Sequence, residues 1–262
     1  MVRIAAAADV HFGLDSEGRL GRHLEGIAER ADLLLIAGDL TRSGDPAEAA
    51  VLAADLGRLP IPVVAVLGNH DHHQDRAAEI VRIMVAAGVR VLEGDCAVLA
   101  VAGTRVGVAG VKGFGGGFAG ACGTEFGERQ MKAFVGHGRE LAESLAVALA
   151  PLAGTVDVRI ALTHYAPVRG TLVGEPLEIY PFLGSYMLGQ VIDQSAVSIA
   201  FHGHAHAGTE RATTPGGVPV RNVAQPVIRH PFNLYEVGEG TGEARSRPAE
   251  RFHWEGPLES LA

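Results

Sequence analysis

The segment "VVAVLGNHDHHQD", residues 63–75, carries both the clearest fold signal and the clearest chemical signal of this chain. Val63–Leu67 is a short, uninterrupted apolar run, which is typical of a β-strand that is covered on both faces. A glycine follows, and then three histidines stand within four positions, at 70, 72 and 73. Polar residues directly after a buried strand predict a functional loop at the carboxyl end of that strand.

Four other apolar runs end in the same way, with aspartate or histidine after the last apolar residues. In open α/β sheets the carboxyl ends of the strands line the ligand crevice, so side chains that are distant in sequence can converge there. The five runs contribute Asp9 and His11 ("AAAADVH"), Asp39 ("LLLIAGD"), Asn69 and His70 ("VVAVLGNH"), His164 ("RIALTH"), and His204 and His206 ("SIAFHGHAH").

The apolar runs alternate with helical stretches in the first half of the chain, which favours parallel βαβ units. Strands are predicted at Ile4–Ala8, Leu33–Ala37, Val63–Leu67, Val106–Val111, Val158–Leu162 and Val197–Phe201. Helices are predicted at Leu20–Arg30, Ala47–Leu59 (with Asp45 as N-cap and Pro46 at its first position), Ala77–Ala87 and 128–150. The second half is richer in strands, including "TTPGGVPVRNVA" and "FNLYEV". We therefore predict an α/β fold in which two packed mixed β-sheets are flanked by helices.

One domain is expected over residues 1–237, since no linker or internal repeat divides it. Residues 238–262 are polar and rich in turn formers, which predicts a loosely ordered tail with a possible anchor at Trp254. The chain is 47% hydrophobic, which is ample for a sizeable core.

Charge and cysteine content narrow the class of protein. The net charge of −8, without a run of lysine or arginine, argues against non-specific nucleic-acid binding. The two cysteines, Cys96 and Cys122, form no disulfide framework. No apolar run is long enough for a signal peptide or a bilayer span, so a cytoplasmic protein without membrane contact is expected.

The residue types at the strand ends suit two divalent ions, because imidazole binds Zn, Fe and Mn while carboxylate and amide oxygens suit harder ions. If one carboxylate is shared, seven side chains can hold two ions with room for a bridging water molecule. Two ions ~3.5–4 Å apart can clamp the attacking and leaving oxygens of an in-line displacement at phosphorus, with the acidified water as nucleophile. A single buried aspartate or histidine is more often structural, but seven at strand ends favour metal binding, since unpaired buried charges are costly.

The ordered motifs "DVH", "GD", "GNHD", a histidine after a strand, and "GHAH" resemble the calcineurin-like metallophosphoesterases over residues 9–206. The resemblance implies a β-sandwich flanked by helices and a dinuclear metal site. It implies that one metal is held by Asp9, His11 and His206, the other by Asn69, His164 and His204, and that Asp39 bridges them.

The resemblance also implies that His70 contacts the scissile phosphate rather than a metal and protonates the leaving oxygen, a role for which histidine is commonly used. The family's second motif often reads GDxxD, and its later carboxylate can orient this histidine. Arg42 stands in that place here, so His70 is expected to lack that partner, and Arg42 is expected to face either phosphate or solvent. His72 is expected to be exposed, whereas His73 is a candidate for the substrate rim.

Two other segments are open to more than one interpretation. "GFGGGFAGACG", residues 113–123, contains GxGxxG, but no strand with an acidic end follows at the spacing of a dinucleotide site, so a flexible loop at the rim is predicted. In "EPLEIYPFLGSY", residues 175–186, aromatic side chains can stack on a base or simply pack. His202 is expected to pack or to support a ligand rather than to bind metal.

The most consistent interpretation is a phosphoesterase that depends on two divalent ions, Mn, Fe or Zn, in which a hydroxide bridging the ions attacks phosphorus in line. A small phosphodiester, such as a cyclic nucleotide, is the favoured substrate. A phosphomonoesterase or a protein phosphatase of the same fold is an alternative, because fold does not settle substrate. A non-catalytic metal-binding scaffold is the alternative from another class, and it would be expected to have lost part of the motif set.

Overall fold

The computed structural model describes residues 1–238 and the backbone of residues 241–248, and its framework is a pair of six-stranded β-sheets. The first sheet contains β1 (Val2–Ala7), β2 (Leu33–Ala37), β3 (Val63–Val66), β4 (Arg90–Val91), β13 (Asn233–Gly238) and β14 (Thr241–Pro248). Strands β1 to β4 are adjacent and parallel, and β13 and β14 extend the sheet beyond β1 in antiparallel orientation.

The second sheet contains β5 (Asp95–Val101), β6 (Thr104–Val111), β9 (Val158–Thr163), β10 (Ile199–His202), β11 (Arg211–Thr213) and β12 (Pro219–Asn222). Its four inner strands, in the order β12-β10-β9-β6, are parallel, and β11 and β5 form antiparallel edges. Strands β7 (Gly117–Phe118) and β8 (Ala121–Cys122) form a separate small hairpin.

Helices cover the outer faces of both sheets: α1 (Gly21–Leu24), α2 (Ile27–Arg30), α3 (Pro46–Leu56) and α4 (Ala77–Ala86) cover the first, and α5 (Arg129–Leu149) and α7 (Tyr186–Gln194) cover the second. Two further short helices are α6 (Tyr180–Leu183) and α8 (Gln225–Ile228). The predicted start of α3 is confirmed, since the Asp45 carboxylate accepts a hydrogen bond from the Ala47 N–H at 2.9 Å and Pro46 is the first helical residue. The helix predicted over Leu20–Arg30 is interrupted, because Gly26 adopts φ +65° and separates α1 from α2.

Three apolar layers explain why the strands are continuously apolar rather than alternating. Along β2, Leu33, Leu35 and Ala37 enter the core between the two sheets, while Leu34 and Ile36 enter the core beneath α1 to α4. A third layer packs α5 and α7 against the second sheet. The predicted fold, two mixed sheets flanked by helices, is therefore confirmed as a four-layer arrangement.

The sequence analysis did not predict β4, β5 or the β7–β8 hairpin. In β5 only every second residue is buried, as expected for an edge strand with one exposed face, so no continuous apolar run marks it. Within the stretch predicted as a tail, the backbone of β14 pairs antiparallel with β13. The proposed anchor Trp254 lies outside the described residues. Across the part of the chain that the structure describes, no helix is both long and apolar enough to cross a membrane.

Candidate metal centre

The predicted site residues lie at the carboxyl ends of five parallel strands, three in the first sheet and two in the second. Three groups of side chains could each hold a metal ion, because within each group the ligand atoms lie within 4.8 Å of one another. The groups are Asp9, His11 and His206; Asp39, His164 and His204; and His11, Asp39 and His70. The two sheets meet here, because the Ala8 N–H donates to the Val223 carbonyl and the Gln225 N–H donates to the Ala8 carbonyl. Each sheet therefore contributes donors to one common site.

The backbone turns sharply where these strands end. Asp9, His11, Asp39 and His204 have φ values of 57°, 41°, 50° and 69°, in the left-handed region that residues other than glycine rarely adopt. Hydrogen bonds hold the two loops after β1 and β2 together, from Asp9 N–H to the Gly38 carbonyl and from His11 N–H to the Asp39 carbonyl, both 3.0 Å. Strain of this kind, concentrated on four candidate ligands, is typical of a functional site.

The motif glycines leave room for the ligands. A Cβ atom on Gly68 would collide with the Asp39 carboxylate, and one on Gly203 would collide with the carboxylate of Asp9. A Cβ atom on Gly38 would enter the ring of His164. The glycines of "GD", "GNH" and "GHAH" are thus required by packing against the donors of neighbouring strands.

Two fully buried carboxylates occupy the centre. Asp9 and Asp39 are each 1% exposed, and neither is within 4 Å of a lysine or arginine in the described chain. Burial, reinforced by the negative charges of Asp9 and Asp71, holds the pKa of Asp39 well above its usual range. For Asp9, burial also raises the pKa, but the charge and hydrogen bond of His206, at 2.9 Å, reverse this and lower the pKa overall.

The two oxygens of Asp39 face different histidines. Oδ1 lies 3.4 Å from His164 Nε2, and Oδ2 lies 3.8 Å from His11 Nε2. This is the arrangement expected of a carboxylate that serves two neighbouring ions, which is the bridging role that the sequence analysis gives to Asp39.

Backbone carbonyls fix the proton positions of two imidazoles. The Ala37 carbonyl accepts from His164 Nδ1 at 2.9 Å, so the neutral ring presents its Nε2 lone pair towards Asp39 and towards Asn69 Oδ1, which is 2.9 Å away. The Phe182 carbonyl accepts a hydrogen bond from His204 Nε2 at 3.2 Å. The lone pair of Nδ1 is then the one that His204 can offer to a metal ion. Both rings are neutral, because burial lowers the pKa of His164 well below its usual value and lowers that of His204 to about 4.

The donor set fits divalent cations. Burial lowers the pKa of His11 to about 3, and its Nε2 is buried with no hydrogen-bond partner in the described residues. At His164, two lone-pair acceptors, Nε2 and the Asn69 amide oxygen, point at each other, which a cation between them would reconcile. Buried carboxylates, neutral imidazoles and an amide oxygen are the ligand types that Mn, Fe and Zn share.

His70 lies beside this donor set and is oriented by the main chain. Its Nδ1 donates to the carbonyl oxygen of Arg42 at 2.7 Å. Its ring is 4.5 Å from the ring of His11 in an edge-on arrangement. Position 42 therefore supplies an orienting acceptor through its backbone, where the family's GDxxD motif has a carboxylate side chain.

The two predicted substrate-binding residues have different surroundings. The guanidinium of Arg42 is 2.9 Å from the carboxylate of Asp15 at the surface, so its charge is paired there. His73 is exposed, and its ring lies 6.4 Å from that of His70, at the edge of the site.

His72 is not solvent-exposed as predicted. It is partly buried, and its Nε2 is enclosed without a hydrogen-bond partner among the described residues. Residues His70–His72 form a short 3-10 helix, which turns the side chain back towards the protein, where the charge of Lys112 acts on it.

Asp71 is an essential part of the site that the sequence analysis overlooked. It is fully buried and accepts hydrogen bonds from the N–H groups of Leu40, Thr41 and Gly68 and from the Thr41 hydroxyl, at 2.6–3.1 Å. It therefore locks the loop after β2 to the loop after β3. The sequence did contain a signal for it, because Asp71 is the aspartate that ends the motif "GNHD".

The rim is formed by the glycine-rich segment and residues 175–186. The glycine-rich segment was predicted as a loop but contains the β7–β8 hairpin, and the N–H groups of Gly116 and Gly117 donate to the carbonyls of Pro181 and Gly184. Tyr180 packs, with its hydroxyl donating to the Leu172 carbonyl, whereas Phe182 remains 59% exposed. His202 is buried below the site, where its ring nitrogens contact Thr171 Oγ1 and the Gly203 carbonyl at 2.8 Å.

Comparison with known protein families identifies one that contains this arrangement of residues. A family model described as calcineurin-like phosphoesterase matches residues 2–208, a span that includes every donor named above. No curated protein matches the chain.

Solved structures with the same fold share little sequence with it. A phosphopantetheinyl hydrolase from Mycobacterium tuberculosis is similar at 16% identity and a TM-score of 0.61, over 84% of this chain and 88% of that one. A Thermus thermophilus protein is 16% identical with a TM-score of 0.60, over 95% and 99% of the two chains. A putative 5′-nucleotidase from Staphylococcus aureus is 14% identical with a TM-score of 0.59, over 94% of this chain and 54% of that one. At such identities the likeness shows the fold alone.

Proposed function

We propose that this chain, which belongs to the calcineurin-like phosphoesterase family, hydrolyses a small phosphodiester at a centre of two divalent metal ions. As a member of the family it is a metal-dependent phosphoester hydrolase. The observation that carries the proposal is the position of Asp39, whose two oxygens face histidines from different donor sets. A cyclic nucleotide is one candidate diester.

Two ions bound there would neutralise charge on the phosphate and lower the pKa of a water molecule enough for it to attack phosphorus. The residues of the chain supply the remaining steps. Asp39 spans the two halves of the donor set, and Asp71 keeps the loops that carry Asp39 and Asn69 in register. His70, with Nδ1 held by the Arg42 carbonyl, directs Nε2 away from that bond and towards the substrate, where it protonates the leaving oxygen.

The pairing of Arg42 supports a diester over a monoester. A phosphomonoester carries about two negative charges near neutral pH, whereas a diester carries one. The guanidinium of Arg42, the residue whose carbonyl holds His70, is already paired with Asp15, so it adds little attraction for a dianion. Phe182 offers an exposed ring at the rim on which a base can stack.

The test is a substrate panel on protein reconstituted separately with Mn²⁺, Fe²⁺ and Zn²⁺. The panel contains bis(4-nitrophenyl) phosphate, 4-nitrophenyl phosphate, cyclic nucleotides, a phosphopeptide and duplex DNA. We expect the highest kcat/KM on the diesters and no cleavage of duplex DNA at physiological salt, because the chain carries a net charge of −8. A kcat/KM for 4-nitrophenyl phosphate or the phosphopeptide above that of every diester would refute the diester assignment.

A further inference from the structure

Lys112 continues the row of strand ends beyond the metal donors. Strand β6 lies next to β9, with Val111 paired to Thr163, so Lys112 follows β6 as His164 follows β9. The N–H groups of His164 and Tyr165 both donate to the Lys112 carbonyl, at 2.9 and 3.0 Å. Lys112 is thereby fixed one strand outward from a predicted metal ligand.

The ammonium group of Lys112 is held by neutral groups. Nζ lies 5.1 Å from the ring centroids of both Phe114 and Tyr165 and donates to the Gly113 carbonyl at 3.2 Å. None of the ion pairs in the described chain includes Lys112, so no described carboxylate oxygen lies within 4 Å of it. The carboxylates of Glu93 and Asp39 act on its charge only from beyond 4 Å. A partly buried cation with no carboxylate in direct contact can still receive an anion from outside.

The position of Tyr165 separates this cation from the metal centre by one aromatic ring. The Tyr165 ring contacts the ring of His204, with centroids 4.3 Å apart, and also faces the ammonium of Lys112. Lys112 is therefore placed to meet a group next to the scissile phosphate, not the metal-facing oxygens themselves.

One histidine adds a polar side chain beside the same ring pair. The ring of His137, on α5, is 4.7 Å from that of Phe114.

We propose that Lys112 forms a subsite that binds a second anionic group of the substrate, adjacent to the phosphoester bond that is cleaved. This inference rests on the proposed function and names the substrate class more closely: a phosphoester whose organic part carries a further phosphate or carboxylate. Phe114 and Tyr165 would hold the ammonium in place and exclude water around the ion pair.

Binding of two phosphonates to the Zn²⁺-loaded protein, measured by calorimetry, tests this without turnover. Phosphonopropionate carries a carboxylate in addition to its phosphonate, and propylphosphonate does not. We expect Lys112→Met to weaken the binding of phosphonopropionate about tenfold, the usual effect of losing a charged hydrogen bond. The affinity for propylphosphonate should not change. Lys112→Arg should retain part of the difference. Lys132→Met, which removes the other lysine of the chain, an exposed one on α5, should change neither affinity.

A second measurement needs no substitution. Because the chain has two lysines, reductive ¹³C-dimethylation gives a simple NMR spectrum in which Lys112 is distinguished from Lys132. The Lys112 signal should shift with phosphonopropionate and much less with propylphosphonate. An equal loss of affinity for both phosphonates in Lys112→Met, or a Lys112 signal that responds equally to both, would overturn the proposal of this subsite. Failure of the phosphodiesterase proposal would appear separately, in the turnover panel.

Discussion

At the scale of single residues, the chemistry of this site depends on which nitrogen of each imidazole carries a proton. Three backbone carbonyls, those of Ala37, Arg42 and Phe182, decide this for His164, His70 and His204. The motifs predicted which histidines would gather, but no pattern of letters indicates which carbonyl a ring will meet. The donor residues were therefore predictable from sequence, whereas their proton positions required the structure.

His70→Ala should keep its metal but lose about 10²–10⁴-fold in kcat, the usual contribution of a general acid. The reason is that its Nδ1 is committed to the Arg42 carbonyl, which leaves Nε2 to act on the substrate, while its ring lies beside that of His11 at the donor set. Metal content and steady-state kinetics on a diester provide the measurement. His73→Ala is the neighbouring control and should change KM more than kcat. Loss of bound metal in His70→Ala would instead assign His70 as a ligand.

Asp39→Ala should reduce binding at both metal positions, whereas His206→Ala should mainly weaken one. The two oxygens of Asp39 face different halves of the donor set, whereas His206 belongs to the set of Asp9 and His11, with its Nε2 2.9 Å from the Asp9 carboxylate. Metal-to-protein ratios after dialysis against limiting Zn²⁺ measure the difference. A wild-type ratio that never exceeds one, with full activity, would contradict the two-ion centre.

At the scale of elements, the site forms because five parallel strands end at the same edge of the two sheets and because glycines allow the loops after these strands to approach one another. The parallel arrangement was predictable, since apolar runs separated by helices favour βαβ units. The order of the strands was not: β13, from the end of the chain, inserts beside β1 in antiparallel orientation. Likewise Lys112 went unnoticed, because the apolar run before it ends in one ordinary lysine and no motif surrounds it.

Gly68→Ala should lower metal affinity and destabilise the protein by about 1–3 kcal/mol, the usual cost of overpacking. Its new methyl group would collide with the Asp39 carboxylate. Thermal unfolding and metal titration provide the measurements. Gly136→Ala, on the exposed side of α5 where nothing lies within 4 Å of the added methyl group, is the matched control and should be neutral or stabilising by about 0.5–1 kcal/mol. Equal behaviour of the two variants would show that Gly68 is not required by packing.

Glu93→Gln should become more stable relative to the wild type as the pH rises. Burial raises the pKa of Glu93 to about 6, so the folded protein holds this proton more tightly than the unfolded chain does. The wild type therefore loses stability as the pH rises through about 6, whereas the amide of the variant does not titrate. Urea unfolding of both proteins at pH 4 and pH 7 measures the change. The exposed Glu143→Gln should show no such trend, and a constant difference for Glu93→Gln would contradict the argument.

At the scale of the whole molecule, the candidate metal centre joins the two sheets. Its donors come from the ends of β1, β2 and β3 of one sheet and from those of β9 and β10 of the other, at one edge of the apolar core that lies between the sheets. The two-sheet fold was predictable from the number and composition of the strands. That the strand ends converge on one site was expected from their polar residues, and the structure shows that the converging strands belong to both sheets.

Removal of metal should therefore lower the stability of the whole fold and not merely of a loop. Each ion, at a free concentration of about 100 times its Kd, would add ~2.7 kcal/mol to the free energy of unfolding. Chelation should therefore lower the Tm by about 5–10 °C per ion. Calorimetric scans with and without chelator, read by a probe in each sheet, provide the test. A Tm that does not respond, or a loss confined to one sheet, would contradict the role of the centre as a bridge.

The bond between His70 and the Arg42 carbonyl has a consequence for sequence variation. Because the acceptor belongs to the main chain, almost any side chain at position 42 leaves it in place. Proline is the exception, since the Arg42 N–H donates to the Phe12 carbonyl at 2.9 Å and proline has no N–H to donate. Position 42 is therefore free to drift over evolutionary time while the histidine stays oriented, and saturation mutagenesis there should find a broadly tolerant site beside an intolerant one.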